Sequence, residues 1–279
     1  KATDGAMGVG TMYIVYDDGS LWSSGKNDTY QRGDGTTTNN LAQALSPTLL
    51  TSGVTKVAAW NITVAVVHNG IAKIAGSNTN RHYGDGTTTT VAGFTTLNFD
   101  GSSYNTAGVI SDISLSSYAT FVLFNDGTLQ SAGASPSYVG KVNVTVEAYT
   151  FSTCKLSDGT PVSGVTHVAA NEMSVAVALS SGSLLTAGKN GNNQTVQSTG
   201  SSGTTYSLTP VHLDGTRNTG KTVTDLQPLH LTVTVLYADG TAQTGGHNYG
   251  GRKAGSGNTT NPVYWESPLL ESTNNAPPF

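Results

Sequence analysis

The sequence predicts an all-β fold, a five-bladed β-propeller, on three observations. Short apolar segments follow one another between tight turns, as at residues 62–67 and 71–75, which Asn69-Gly70 joins. An Asn-Gly pair between two such segments is a strong hairpin signal, because this turn needs residues that tolerate positive φ. The same unit occurs five times along the chain, and no window shows the 3.6-residue periodicity of a helix.

The repeat is marked by two glycines in each copy, one in the turn and one six residues later. The pairs are Gly19 and Gly25, Gly70 and Gly76, Gly127 and Gly133, Gly182 and Gly188, and Gly240 and Gly246. The turn glycines lie 51, 57, 55 and 58 residues apart. A period near 55 residues is typical of a four-stranded propeller blade, which predicts about 55 residues per blade.

Five repeats account for nearly the whole chain, so we expect one domain, 1–279. The repeats span approximately 1–51, 52–108, 109–164, 165–221 and 222–279. The middle segments are apolar at successive positions, as in residues 64–67, which is typical of strands buried on both faces. We therefore expect a closed ring in which each blade lies between two others. The segment after Pro262 is expected to pack beside the first blade or to cross into a neighbouring subunit.

The composition excludes several classes of protein. The 279 residues carry a net charge of −4 and no basic cluster, which argues against a nucleic-acid groove. No apolar run approaches the roughly 20 residues of a membrane helix, so we expect no membrane insertion. The single cysteine, Cys154, excludes an internal disulfide. Charged residues make up only 11% of the chain, and its abundant Thr, Ser and Asn favour an extracellular or virion surface.

No catalytic or metal-binding constellation stands out. There is no G-x-S-x-G motif and no phosphate loop, and no His has a second His two or four residues away. The sequence therefore predicts no enzyme, no cofactor and no metal site. The Asp of each Asp-Gly turn is expected to bond nearby backbone. Arg32-Gly33-Asp34 spells an integrin-type tripeptide, but Tyr83-Gly84-Asp85 occupies the same column, so Gly-Asp belongs to the repeat.

The repeat resembles that of the RCC1-like (regulator of chromosome condensation) β-propellers. The residues that carry the resemblance are an Asp-Gly-x-Leu turn, a Gly-x-Asn and a Gly-Asp-Gly. In the first copy they are Asp18-Gly19-Ser20-Leu21, Gly25-Lys26-Asn27 and Gly33-Asp34-Gly35. The resemblance covers essentially the whole chain and implies the fold. The founding member is a seven-bladed nucleotide-exchange factor, but five repeats without a wedge insertion or a basic tail do not support exchange activity here.

Candidate binding residues lie in the loop that follows the second glycine of each repeat. Equivalent loops of a propeller face the same side of the disc, and Tyr, Asn and Arg are common in protein and sugar contacts. The candidates are Asn27, Tyr30, Arg81, His82, Tyr83, Tyr138, Asn190, Asn248, Tyr249 and Arg252. Solvated turns are the alternative interpretation of the same loops.

The leading functional hypothesis is a non-enzymatic structural protein of an extracellular or virion assembly, such as a phage fibre, a capsid decoration or a filament. Its partners would be copies of itself or other subunits. The alternative is a recognition module that binds a glycan or a host-surface protein through the Tyr and Asn loops. An intracellular exchange factor is a remote third hypothesis.

Overall fold

The computed structural model describes residues 1–40, 45–134, 139–141, 149–189, 204–210, 221–229 and 232–246. Their strands form five antiparallel sheets that follow one another along the chain. Beside the strands, these residues include a 3-10 turn, Ser102–Asn105. The fold is therefore nearly all β, as the sequence predicts.

Each sheet is a meander that corresponds to one sequence repeat. Sheet 1 contains β1 (Ala2–Gly8), β2 (Thr11–Tyr16), β3 (Leu21–Gly25) and β4 (Ser46–Pro47). Sheet 2 contains β5 (Val54–Trp60), β6 (Thr63–His68), β7 (Ile71–Gly76) and β8 (Thr95–Thr96). Sheet 3 contains β9 (Ile110–Leu115), β10 (Ala119–Phe124), β11 (Leu129–Gly133) and β12 (Ser152–Thr153). Sheet 4 contains β13 (Val165–Ala170), β14 (Ser174–Leu179), β15 (Leu184–Lys189) and β16 (Thr204–Pro210). The described part of sheet 5 contains β17 (Val223–Leu229), β18 (Thr232–Tyr237) and β19 (Ala242–Gly246).

The hairpin turns have the geometry that their sequences predict. Asn69 and Gly70 both have positive φ, 51° and 72°. In the Asp-Gly turns, the Asp18 carboxylate accepts a hydrogen bond from the Ser20 amide at 2.8 Å, and Asp126 accepts one from the Thr128 amide at 2.9 Å. The turn aspartates therefore stabilise the turns themselves, as expected of Asp before Gly.

The first strands of the five sheets, β1, β5, β9, β13 and β17, lie side by side around a central cavity. Each contacts the next along the chain. The cavity has a volume of about 420 Å³ and is lined by residues of all five strands. This radial arrangement of meandering sheets, each with its first strand at the axis, is that of a β-propeller.

Four hydrophobic cores fill the spaces between consecutive sheets. On each middle strand, alternate side chains point towards the next sheet (the forward face) or towards the preceding sheet (the backward face). Tyr13 and Val15 on the forward face of sheet 1 pack against Val64 and Val66 on the backward face of sheet 2. The same pairing recurs between sheets 2 and 3, 3 and 4, and 4 and 5. Middle strands β6, β10 and β14 are therefore apolar on both faces, as the sequence indicates.

A closed ring of five sheets requires a fifth core, between sheets 5 and 1. In the described part of the chain these two faces remain accessible. Met12 on the backward face of sheet 1 is 39% exposed, and Leu236 on the forward face of sheet 5 is 38% exposed. The predicted closing segment after Pro262 lies outside the described residues, and the total number of blades stays a prediction.

The second glycine of each of the first four repeats is required by a close approach between strands. A Cβ on Gly76 would collide with the carbonyl oxygen of Ile62, at the start of β6, and the φ of Gly76 is +96°. Gly25, Gly133 and Gly188 meet the equivalent carbonyl in their own sheets. The six-residue spacing between the two glycines therefore follows from the hairpin. One glycine lies in the turn, and the other lies opposite the start of the middle strand.

Replacing Gly76 by Ala should lower the free energy of unfolding by about 3 kcal/mol, because it combines a backbone collision with a left-handed φ. Gly86 is a matched control, since its φ is +78° but no atom lies within 4 Å of the place that a Cβ would take. Gly86→Ala should lose only about 1 kcal/mol. Urea unfolding of both variants measures the difference, and equal losses would contradict a role for the close approach.

Candidate interaction surfaces

The loop after the second glycine is organised by one buried asparagine. In sheet 1, Asn27 donates from Nδ2 to Asp34 Oδ1 at 2.8 Å, and its Oδ1 accepts from the Arg32 amide at 2.9 Å. In sheet 2, Asn78 Oδ1 accepts from the Tyr83 amide at 2.9 Å. Asn27 and Asn78 are both fully buried. The Gly-x-Asn of the repeat therefore holds the loop together, and the predicted ligand residue Asn27 has an internal role.

The Arg and Asp side chains of the Arg-Gly-Asp tripeptide form an ion pair with each other. Arg32 Nη1 lies 2.8 Å from Asp34 Oδ2, with the Arg32 and Asp34 side chains 6% and 16% exposed. Arg32 Nη1 also donates to the Thr38 carbonyl at 3.2 Å. An integrin-type contact needs these two side chains free, so the structure supports the interpretation that this tripeptide is part of the repeat.

His82 and Tyr83 are buried at the boundary between sheets 2 and 3. His82 Nε2 lies 3.3 Å from the Ser117 carbonyl, and its Nδ1 lies 3.3 Å from Thr120 Oγ1. Burial lowers the pKa of His82 to about 4. Tyr83 donates its hydroxyl to the Gly76 carbonyl at 2.6 Å, and burial raises its pKa to about 12. Both predicted ligand residues therefore stabilise the fold.

Tyr30 and Arg81 are the predicted residues that reach the surface. They occupy the same position in the loops of sheets 1 and 2, and both have a left-handed backbone, with φ of 61° and 57°. Arg81 lies over the Tyr149 ring at 4.0 Å and donates from Nη1 to the Gly86 carbonyl at 2.6 Å. A left-handed backbone is unusual for bulky residues, and both residues are partly exposed.

Five of the predicted ligand residues lie outside the described residues, and their contacts with a ligand stay predictions. They are Tyr138, Asn190, Asn248, Tyr249 and Arg252.

An apolar surface on sheet 1, which the sequence analysis did not identify, is formed by the backward face of the sheet. Met7 pairs with Met12 across β1 and β2, and Ile14 pairs with Trp22 across β2 and β3. Tyr16 packs edge-on against Trp22, with ring centroids 6.2 Å apart. Met7 is 75% exposed, and Ile14, Tyr16 and Trp22 are partly exposed. We call this surface of Met7, Met12, Ile14, Tyr16 and Trp22 the open face.

Ionisable residues also occur at the same position of every inner strand. Each follows a Thr or Ser that sits in a β-bulge, where the register of the inner strand shifts. The five residues are Asp4, Lys56, Asp112, His167 and Asp225. In the sequence, this pattern is visible as a Thr or Ser followed directly by an ionisable residue near the start of each repeat.

Four of these residues, Asp4, Lys56, Asp112 and Asp225, line the central cavity. The Thr3 hydroxyl donates to the Val15 carbonyl at 3.2 Å, and Thr166 and Thr224 make the equivalent bond. Burial raises the pKa of Asp112, although the nearby Lys56 ammonium favours its charged form. Among the described residues, no three His, Cys, Asp or Glu side chains are close enough together to hold a metal ion. Three aspartates and one lysine line the cavity, so its lining has more acidic than basic groups.

Comparison with solved structures identifies the architecture. Human WBSCR16 superposes with a TM-score of 0.80 at 15% identity, over 97% of this chain and 68% of that chain. Yeast Prp20 (RCC1), in its complex with Kap60, superposes with a TM-score of 0.71 at 15% identity, over 88% of this chain and 56% of that chain. The chain folds as an RCC1-like β-propeller. The chain spans just over half the length of Prp20.

Other comparisons do not extend the identification. No known family profile matches the chain, and no curated protein matches its sequence. A second structure of Prp20, from Saccharomyces cerevisiae, superposes with a TM-score of 0.69 at 15% identity, over 87% of this chain and 56% of that chain. No helix in the described ranges is long and apolar enough to cross a membrane. The RCC1-like propeller is thus established by its architecture, at low sequence identity.

Because the imidazole of His82 is buried, we expect the protein to lose stability in acid. Its folded-state pKa of about 4 is below the ordinary 6.5, so the unfolded chain binds the proton more readily between these values. The contribution of His82 is complete above pH 6.5 and falls as the pH decreases towards 4, by roughly 3 kcal/mol in total. Unfolding free energies of the wild type and His82→Gln should therefore converge or cross in this window. Parallel pH profiles would contradict the assignment.

Proposed function

We propose that this propeller is a non-enzymatic structural protein that works by docking to other proteins, as a subunit of a larger assembly. The observation that carries the proposal is the open face of sheet 1. Equivalent backward-face positions in the other sheets, such as Val66, Val122 and Val177, are fully buried by a neighbouring sheet. The repeat thus builds on sheet 1 a surface whose equivalents all serve in sheet-to-sheet packing.

The composition of the open face favours a protein contact. It combines two Met, one Ile, one Tyr and one Trp, and none of the five residues is charged. Exposed apolar area costs about 25 cal/mol per Å² relative to its burial, and clustered apolar surface usually marks an interaction site. Aromatic residues and Met are also enriched at protein interfaces. Docking of a protein surface on this face removes that cost.

The RCC1-like neighbours and the composition support this proposal in different ways. Prp20 forms a complex with Kap60 and binds Gsp1p and histones, so a propeller of this architecture can serve as a docking platform. We propose an extracellular or virion location for the assembly, because only 11% of the residues are charged and Thr, Ser and Asn are abundant in the chain.

Carbene footprinting of the protein in its native assembly and as the purified chain tests the proposal. Labelling of Met7 and Met12 should fall at least fivefold in the assembly, because a docked protein excludes the reagent. Leu49, which is 60% exposed in a loop of sheet 1 away from the open face, is the internal control and should be labelled equally in both samples. Equal labelling of Met7 and Met12 in both would refute docking at this face.

A second candidate function is recognition of a glycan or a host-surface protein through Tyr30 and Arg81. The observation that favours it is their shared left-handed backbone, since strain of this kind concentrates at functional sites. Tyr30 and Arg81 project from neighbouring loops of the same side of the propeller. A phenol ring and a guanidinium offer the stacking and hydrogen-bonding groups that sugars and peptides use.

Tyr30→Gly separates stability from recognition. Glycine relieves the left-handed backbone, so the free energy of unfolding should stay equal or rise by up to about 1 kcal/mol. Binding on a glycan or protein array should fall at least tenfold if Tyr30 contacts the ligand. Asn61→Gly is the matched control, because Asn61 also has positive φ (52°) but lies outside these loops. Unchanged binding by Tyr30→Gly would rule out this candidate function.

A further inference from the structure

We propose that a cleft between sheets 2 and 3 binds a short neutral oligosaccharide. The cleft is lined by the segment that follows β8 in sheet 2 and by β12 with its flanking residues in sheet 3. Its volume of about 680 Å³ lies within the range of ligand sites, roughly 300 to 1,000 Å³. Neither the open face nor Tyr30 contributes to its lining, so this site is independent of the proposed function.

The cleft lies where sheet 2 departs from the repeat. In sheet 1, the Leu49 amide, two residues after β4, donates to the Gly33 carbonyl at 3.0 Å and ties the outer edge of the sheet to its loop. In sheet 3, the Lys155 amide makes the equivalent bond at 2.9 Å. The corresponding groups in sheet 2 are the Asn98 amide and the Gly84 carbonyl, and in the described part of the chain no backbone hydrogen bond joins them. Both residues line the cleft.

The side chain of Gln130 in β11 holds this segment of sheet 2 against sheet 3 instead. Its Oε1 accepts from the Asp100 amide at 3.0 Å, and its Nε2 donates to the Asp100 carbonyl at 2.7 Å. Gln130 is fully buried. Because buried hydrogen bonds fix the wall of the cleft, a ligand does not have to order it, which favours binding.

A smaller cavity extends the cleft. It has a volume of about 250 Å³ and shares Gly84 and Asn98 with the cleft. Thr95 and Thr96 of β8 also line it. Two adjoining cavities form an elongated recess, which suits a ligand of two or more linked rings better than a compact one.

Six polar side chains that line the cleft have no hydrogen-bond or ion-pair partner within the described part of the chain. They are Asn98, Asp100, Thr150, Ser152, Thr153 and Lys155. At the outer edge of sheet 1, by contrast, the hydroxyls are used internally. Ser46 Oγ accepts from Asn40 Nδ2 at 2.5 Å, and Thr48 Oγ1 accepts from the Leu50 amide at 3.0 Å. The polar groups of the cleft are therefore available to a ligand.

These groups match the chemistry of a neutral sugar. Hydroxyls, an amide, a carboxylate and an ammonium group offer donors and acceptors together, and each sugar hydroxyl can both donate and accept. Phe99 and Phe151, with ring centroids 4.8 Å apart, add an apolar surface for the C–H groups of a sugar ring.

The same lining disfavours other classes of ligand. The charges of Asp100 and Lys155 balance, so the cleft does not favour a phosphorylated or sulfated ligand. Phe99 and Phe151 are only 8% and 3% exposed. The cleft therefore offers little apolar surface to the large aromatic anchors on which protein contacts depend.

Binding of the full chain to neutral di- to tetrasaccharides of glucose, galactose, mannose and N-acetylglucosamine tests the proposal. Saturation-transfer NMR detects weak binding and identifies the sugar with the strongest signal. For that sugar, Asn98→Ala and Lys155→Met should each raise the Kd by about fivefold, because each removes a hydrogen-bonding group. Lys26→Met, which removes an exposed lysine outside the cleft, should bind like the wild type. The melting temperatures should stay equal.

An engineered thiol gives an independent measurement at the cleft. Thr150→Cys places a thiol at an exposed position of the lining. The native Cys154 is fully buried and burial raises its pKa to about 11, so it stays unreactive. With the sugar at about ten times its Kd, maleimide labelling of Thr150→Cys should slow by about fivefold or more, because occupied sites exclude the reagent. Thr51→Cys, at an exposed position of sheet 1, should be labelled equally with and without sugar.

Four outcomes would overturn the proposal. The first is that no sugar of the panel binds. The second is that binding survives in both Asn98→Ala and Lys155→Met, and its loss in Tyr30→Gly would then assign it to the second candidate function. The third is a Thr150→Cys thiol that does not react without sugar, which would show that the chain itself covers the cleft. The fourth is protection of that thiol by an unstructured peptide and by no sugar. Docking at the open face is compatible with all four outcomes, so the footprinting experiment tests it separately.

Discussion

Packing of one thin sheet against the next is the interaction on which this structure depends. A single three- or four-stranded meander has two faces and cannot bury either alone, so each sheet is stable only between neighbours. The forward face of one sheet and the backward face of the next form each of the four described cores. This explains why strands such as β10 are apolar at nearly every position, with all six residues buried. It also explains why sheet 1, without a described neighbour on its backward face, exposes apolar side chains.

Hydrogen bonds between sheets fix the position of one sheet along the next, which apolar packing alone does not determine. The Val57 amide donates to Asp4 Oδ2 at 2.9 Å, and the Ala170 amide donates to Ser114 Oγ at 2.9 Å, each across a boundary near the axis. Trp60 donates from Nε1 to Ser117 Oγ at 2.8 Å across the boundary between sheets 2 and 3. Hydrogen bonds have directional requirements that dispersion contacts lack, so a few such bonds fix how far one sheet can slide along another.

The sequence predicted most of the fold because the signals of a hairpin are local. The segments assigned at residues 62–67 and 71–75 became Thr63–His68 and Ile71–Gly76, since Asn69-Gly70 determines the turn and the pairing follows. The candidate site was less accessible to prediction. Tyr83 is the kind of residue that contacts ligands, but its burial depends on sheet 3, which begins some thirty residues further along the chain. The open face could not be predicted either, because the same apolar alternation recurs along the chain, and only the order of the described sheets in space leaves this face without a neighbouring sheet.

The volume of the side chains in the cores determines how many sheets complete a turn. Ala and Val predominate on strands near the axis, whereas the core between sheets 2 and 3 contains Phe99, Phe124 and Phe151 in edge-to-face contact. Close-packed interiors transmit such differences in volume to the backbone, so large rings further out rotate one sheet relative to the next. A ring of five sheets needs a larger rotation at each boundary than a ring of seven, and therefore a wider outer core.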